Sequence, residues 1–216
     1  MRPFDYSDQA SWQALSGQAQ SPITLAGTPD GQCAVTLTAP YQTTALLDVG
    51  TTVRQPGSGG LILDGRAFSF VQAHWHAPVE HRGAGDFAVE LHLVHRSELG
   101  QPLVVALLLP LGAADPVLAA VQGAFRRGQA TAATLDLTPL WPTDGTAFRY
   151  AGSLTTPPLT EGVEWCVIAQ RQRTVSPAQV AWFIDRFGAT ARDPQPLNGR
   201  PVRCQAFRGP EAGGWA

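Results

Sequence analysis

A single domain, mostly β with two or three short helices, is what this sequence predicts, and three observations predict it. Two stretches alternate with a period of two, a third is a continuous apolar run of strand length, and only two stretches carry helix start and stop signals. At 216 residues the chain is long enough to bury a substantial core in one domain. No repeat, linker or low-complexity segment divides it, so residues 1–216 are read as one unit.

Taken in order, residues 67–76 have strand parity. An unbroken alternation places Phe68, Phe70, Gln72, His74 and His76 on one face. Pro78 to Asp86, with Gly83 and Gly85, suits a connection between antiparallel neighbours. The next strand, residues 87–95, puts Glu90 and His92 on one face and Leu91, Leu93 and His95 on the other. Leu103 to Leu109 fits a central strand covered on both sides. Asp115 can cap a short helix with Pro116 in its first turn, running toward Phe125. A second helix starts at Ser176-Pro177, carries Val180, Phe183, Ile184 and Phe187 at helical spacing, and stops at Gly188. Elsewhere Pro and Gly punctuate the chain, as at Gln55-Pro56-Gly57 and Thr156-Pro157-Pro158.

Composition narrows the function. Hydrophobic residues make up 44% and the formal net charge is −2, which suits a soluble globular protein and offers no basic footprint for nucleic acid. All 15 basic residues other than His are Arg, so Schiff-base and Lys-general-base chemistry are excluded. No apolar stretch approaches the ~20 residues of a membrane-spanning helix. Residues Met1 to Ser11 do not read as a signal peptide, although a chain whose leader had been cleaved would look the same. Cys33, Cys166 and Cys204 are far apart and odd in number. They form no zinc-type pair and at most one disulfide, and buried apolar packing is their simplest role.

The chemistry lies in the histidines. There are five, and three of them, His74, His76 and His92, fall on two adjacent strands with matching parity. Three imidazoles leave one position of a four-coordinate zinc ion open, the arrangement of a catalytic site. Gln72 shares the face of His74 and Glu90 that of His92; each can accept the outer N–H of its neighbour and so fix the tautomer that presents the other nitrogen.

The run Gln72-Ala73-His74-Trp75-His76, then Glu80-His81, then Ala88 to His95, resembles the α-class carbonic anhydrases. So does Gly152 to Trp165, with Thr155-Thr156-Pro157-Pro158 at its centre, and so, more weakly, do Gln20 to Ile23 and Gln195 to Arg200. The resemblance spans nearly the whole chain in the family's order and points to a short, bacterial-type member. It implies a large central, mainly antiparallel, twisted β-sheet with a few short peripheral helices. It further implies a Zn2+ enzyme that hydrates CO2 to bicarbonate and a proton by zinc-hydroxide attack. By position, His74, His76 and His92 match the zinc ligands, Gln72 and Glu90 their outer partners, and His81 a structural position behind them. Thr155 matches the residue that accepts from the hydroxide while donating to a carboxylate that matches Glu80. Thr156, Val105, Leu154, Val163 and Trp165 match the wall of the substrate cavity, Val105, Leu154, Val163 and Trp165 as its apolar part.

Two departures from the family carry expectations. Fast members have a proton-relaying His at the cavity mouth; the corresponding Leu46-Leu47-Asp48-Val49-Gly50-Thr51-Thr52 has none, so water or external buffer is expected to carry the proton. The Cys pair of bacterial extracytoplasmic members is also missing, with Leu159 at one of its places. That loss fits a reducing compartment, so a cytoplasmic enzyme is expected, with a periplasmic or secreted one as the alternative. The small-molecule substrate is the only partner expected; there is no nucleic-acid or membrane partner, and the oligomeric state, a homodimer included, is left open. Two rival readings are a cupin-like metalloprotein, in which Glu80 would itself be a ligand, and an inactive carbonic anhydrase-related protein.

Overall fold

The computed structural model describes residues 4–15 and 17–210; Met1 to Pro3, part of the N-terminal stretch read for a leader, lie outside them. Among the described residues ten strands form one mixed sheet: β1 (Gln32–Thr43), β2 (Ala45–Asp48), β3 (Val53–Leu63), β4 (Arg66–His76), β5 (Val89–Arg96), β6 (Pro102–Leu109), β7 (Ala130–Ala132), β8 (Asp144–Ser153), β9 (Glu161–Ala169) and β10 (Arg203–Arg208). Their order is β1-β10-β8-β9-β6-β5-β4-β3-β2-β7. Neighbours are antiparallel except at β1–β10 and β6–β9. The start of β1 pairs with β10, and its continuation pairs with β3, so one strand touches the sheet in two places.

Both α-helices form where their caps predict. In α1 (Pro116–Ala124) the Asp115 carboxylate accepts from the N–H groups of Val117 and Leu118. In α2 (Pro177–Phe187) Ser176 and Gln179 make a capping box, and Gly188 ends the helix at φ 74°. Gln179 also bonds the backbone of Asp115 in both directions, which ties the two helix starts together. Phe183 and Phe187 are buried, whereas Ile184 turns outward at 37% exposure; the apolar stripe is narrower than its spacing suggests.

Two further readings need correction. Gln55-Pro56-Gly57 is no break but lies inside β3, beside a register irregularity between Pro56 and Gly60. A Cβ at Gly57 would stand 2.1 Å from the carbonyl oxygen of Gln42, so the close pairing of β1 with β3, in which Gly57 lies opposite Thr43, demands glycine there. In β4 a bulge falls at Val71: Phe70 pairs with His95 but Gln72 pairs with Val94. The alternation therefore breaks, and Phe68 and Phe70 share a face with Ala73 and Trp75, opposite Gln72, His74 and His76.

The sheet thus has two unlike faces. One, with Trp75, Leu91, Leu93, Val105, Leu107 and the two helices, holds the larger core. The other carries a smaller core of Ile23, Leu25, Val104, Ala106, Tyr150, Val163 and Trp165, and His74, His76 and His92 stand on that side.

Candidate metal centre

The β4–β5 register pairs His74 directly with His92 and His76 with Glu90. Cross-strand pairs bring side chains on one face within reach of each other, and His74 Nε2 lies 3.2 Å from His92 Nδ1. The three rings converge, with centroids 4.5 to 5.1 Å apart. One nitrogen from each lies within 4.8 Å of the others, a grouping able to hold a metal ion.

Each outer nitrogen faces an acceptor. Nδ1 of His74 is 3.1 Å from Gln72 Oε1, Nδ1 of His76 is 2.6 Å from the carbonyl oxygen of Thr190, and Nε2 of His92 is 2.7 Å from Glu90 Oε1. A carbonyl or carboxylate oxygen can only accept, so the outer nitrogens carry the protons and the inner ones are bare lone pairs. The inner Nε2 of His76 is buried with no partner among the described residues. Burial, with mutual repulsion, holds His74 well below the ordinary imidazole range and brings His76 to about 3. Burial also lowers His92, against the pull of Glu90. Three neutral lone pairs aimed at one point repel each other until a cation sits between them. The donor set, all imidazole nitrogen, fits zinc.

Two carboxylates stand behind the rings in different states. Glu90 accepts from His92 and His81 side chains and from the backbone N–H groups of Glu80 and His81. Burial alone would raise its pKa; the His81 charge and these bonds overcome burial and hold it well below the ordinary value. Burial, then the charge of Glu90, pushes Glu80 well above it. Glu80 Oε1 accepts from the Arg192 backbone N–H at 2.8 Å. Thr155 stands close enough to favour the charged form of Glu80, yet no aligned bond joins them, and Glu80 Oε2 has no partner among the described residues. His81 meets the Tyr150 hydroxyl at 2.7 Å through its other nitrogen, and Tyr150 donates to Ser21.

The family model described as eukaryotic-type carbonic anhydrase matches residues 7–206. A carbonic anhydrase of Nostoc sp. is 41% identical over 173 residues, which cover 75% of this chain and 65% of the relative. One of Pectobacterium carotovorum is 33% identical over 212 residues, covering 90% and 86%. The solved α-carbonic anhydrase of Photobacterium profundum superposes with a TM-score of 0.80 at 31% identity, covering 90% and 93%. This chain belongs to the α-class carbonic anhydrases.

Within this α-class chain the cavity wall differs in one position from the sequence reading. Val105 pairs with Leu93 and packs in the larger core, on the face away from the histidines. Strand parity puts Ala106 opposite His92, and Val104 and Val94 pair with each other on the histidine face. An off-by-one in β6 moves a side chain through the sheet. Trp165 lies on the face of His92: its ring is 5.0 Å from that of His92, and its Nε1 donates to the carbonyl oxygen of Ser153. Leu154 and Val163 pack in the same core, and Thr156 is half-buried in the loop after β8, next to buried Thr155. Glu80 approaches only outer nitrogens, 3.4 Å from His76 Nδ1 and 3.9 Å from His92 Nε2, so the cupin reading, which needs it as a ligand, fails. His95 stands on the opposite face, bonded to the Tyr41 hydroxyl at 2.7 Å. Sequence reasoning missed Thr190 and Arg192, which act through backbone groups that no residue type announces; for Val94 and Val104 the parity of β5 and β6 was the available signal.

Proposed function

We propose that this chain hydrates CO2 reversibly to bicarbonate and a proton, at a zinc ion held by Nε2 of His74, Nε2 of His76 and Nδ1 of His92. The observation that carries the proposal is the convergence of three inner nitrogens, those of buried His76 and His92 and half-buried His74, whose outer partners leave them no other use. Zinc held by these three nitrogens would act by lowering the pKa of a bound water to about 7, a value general to carbonic anhydrases.

The chain's own residues do the rest. Gln72, Thr190 and Glu90 hold the rings in one tautomer and orientation. Thr155 stands beside Glu80; once its hydroxyl turns to donate to that carboxylate it has only lone pairs left for the cavity, where it would orient an O–H group and disfavour ligands that lack a proton. CO2 is nonpolar, so an apolar wall of Val94, Val104, Leu154, Val163 and Trp165, with Thr156 at its edge, holds it weakly beside the nucleophile. Residues 46–52 offer no His, so the proton leaves by water or by external buffer.

Stopped-flow CO2 hydration across pH and buffer concentration, with zinc measured on the same sample, tests this reading. About one zinc per chain and a turnover number that climbs with imidazole-type buffer are expected. A protein that binds zinc and fails to hydrate CO2 would overturn the function and leave the inactive-relative reading standing. A turnover indifferent to buffer would overturn the proton route alone.

A further inference from the structure

On the face away from the histidines, Cys33 of β1 and Cys166 of β9 bring their sulfurs within 4.0 Å, although 133 residues separate them. Both are buried, at 1% and 0% exposure. Strands β10 and β8 lie between β1 and β9 in the sheet, and both thiols belong to the larger core, so a bond between them would tie together two strands that are not neighbours. Arg149 is the direct cross-strand neighbour of Cys166. Its two Nη atoms bind Asp64 and Glu164, while its buried Nε–H has no partner among the described residues. A guanidinium N–H left unsatisfied beside a thiol pair is a ready donor to a thiolate.

We propose that Cys33 and Cys166 form a redox-active dithiol, a modification site at which a small peroxide closes an internal disulfide between β1 and β9. Either sulfur can donate to the other across this contact. The contact lowers the pKa of Cys33 against the effect of burial; the Arg149 charge lowers it further, and Asp64 and Glu164 oppose. Cys166 is pushed well up by its bond to Cys33 and by burial. With Cys33 as the attacking thiolate, its sulfur bonds to a peroxide oxygen, the O–O bond breaks, and Cys33 becomes a sulfenic acid as hydroxide leaves and takes up a proton to give water. The Cys166 thiol then displaces the sulfenic hydroxyl as a second water, forming the S–S bond. Two thiols lose two electrons and two protons in all, and the peroxide is reduced to two waters. Cys204 packs in the opposite core and offers no competing partner.

The test uses the full-length, zinc-loaded protein, treated with a small excess of hydrogen peroxide, quenched in acid and unfolded before its thiols are titrated. Titratable thiols should fall from three to one, with loss of two hydrogens in intact mass and a linked peptide pair containing Cys33 and Cys166. Dithiothreitol should reverse all three changes. The crosslink should raise the Tm by about 5–15 °C, since it closes a long loop of the unfolded chain. Cys204→Ala should still close, and Cys33→Ala should not; should Cys33→Ala not fold, the peptide map of Cys204→Ala decides. Linkage through Cys204, oxygen added to single cysteines without closure, or thiols untouched while the fold persists would each overturn the proposal.

Discussion

The two faces of the β4–β5 pair treat the same side chain in opposite ways. His95 and His92 are three residues apart on one strand, and both are buried. On the larger core, His95 is a single polar group in an aromatic nest of Tyr41 and Phe70, with its Nε2 held by the Tyr41 hydroxyl. On the other face, His92 has its outer nitrogen held and its inner nitrogen aimed at two more imidazoles. Burial alone does not make a functional histidine, since both have it. The distinction lies in which nitrogen is left over and whether neighbouring rings leave theirs over at the same point.

The sharpest way to break that comparison is His92→Ala. Loss of one inner nitrogen should abolish stoichiometric zinc and lower CO2 hydration more than about a thousandfold, because the nucleophile at neutral pH depends on the metal. An active, zinc-loaded variant would show the ligand set to be wrong. Thr155→Val should cost about a hundredfold in kcat/KM with zinc content unchanged, the effect of a misoriented nucleophile and not of a lost one. Gln72→Leu removes only an outer acceptor, so zinc affinity should drop about 10–100-fold while the fold melts as before; competition against a chelator measures it.

Much of this was legible in the residues, for identifiable reasons. Strand parity is local, so His74, His76 and His92 could be placed on one face, and Gln72 and Glu90 beside them, from spacing alone. The caps of both helices are local too, which is why Asp115 and Ser176 read correctly. What did not read were effects that cross the chain. The bulge at Val71 is visible only against the register of β5, so Phe68 and Phe70 were placed on the wrong face. The place of Val105 depended on matching β6 to another sequence, where one residue of slip inverts the side. Thr190 and Arg192 reach the site from a segment without regular structure and through backbone atoms. Gln55-Pro56-Gly57 reads as punctuation because composition does not show that β1 pairs closely alongside it.

The smallest expected effect tests the other half of the comparison. Burial brings the pKa of His95 down to about 3, against backbone hydrogen bonds that favour its charged form. The unfolded chain binds a proton there near pH 6.5, so between these values the unfolded state holds more protons than the folded one. Stability from a neutral, buried His95 is then fully present above about pH 6.5 and is lost as pH falls toward 3. The three inner-site histidines bend the same curve in the same direction, so the wild-type slope alone does not isolate His95. His95→Phe does: it should flatten the loss of denaturant-derived stability between about pH 6 and 4, with zinc content and CO2 hydration near wild type. If instead the variant loses zinc or activity while keeping its fold, the two faces are coupled, and the separation between a packing histidine and a metal-facing one fails.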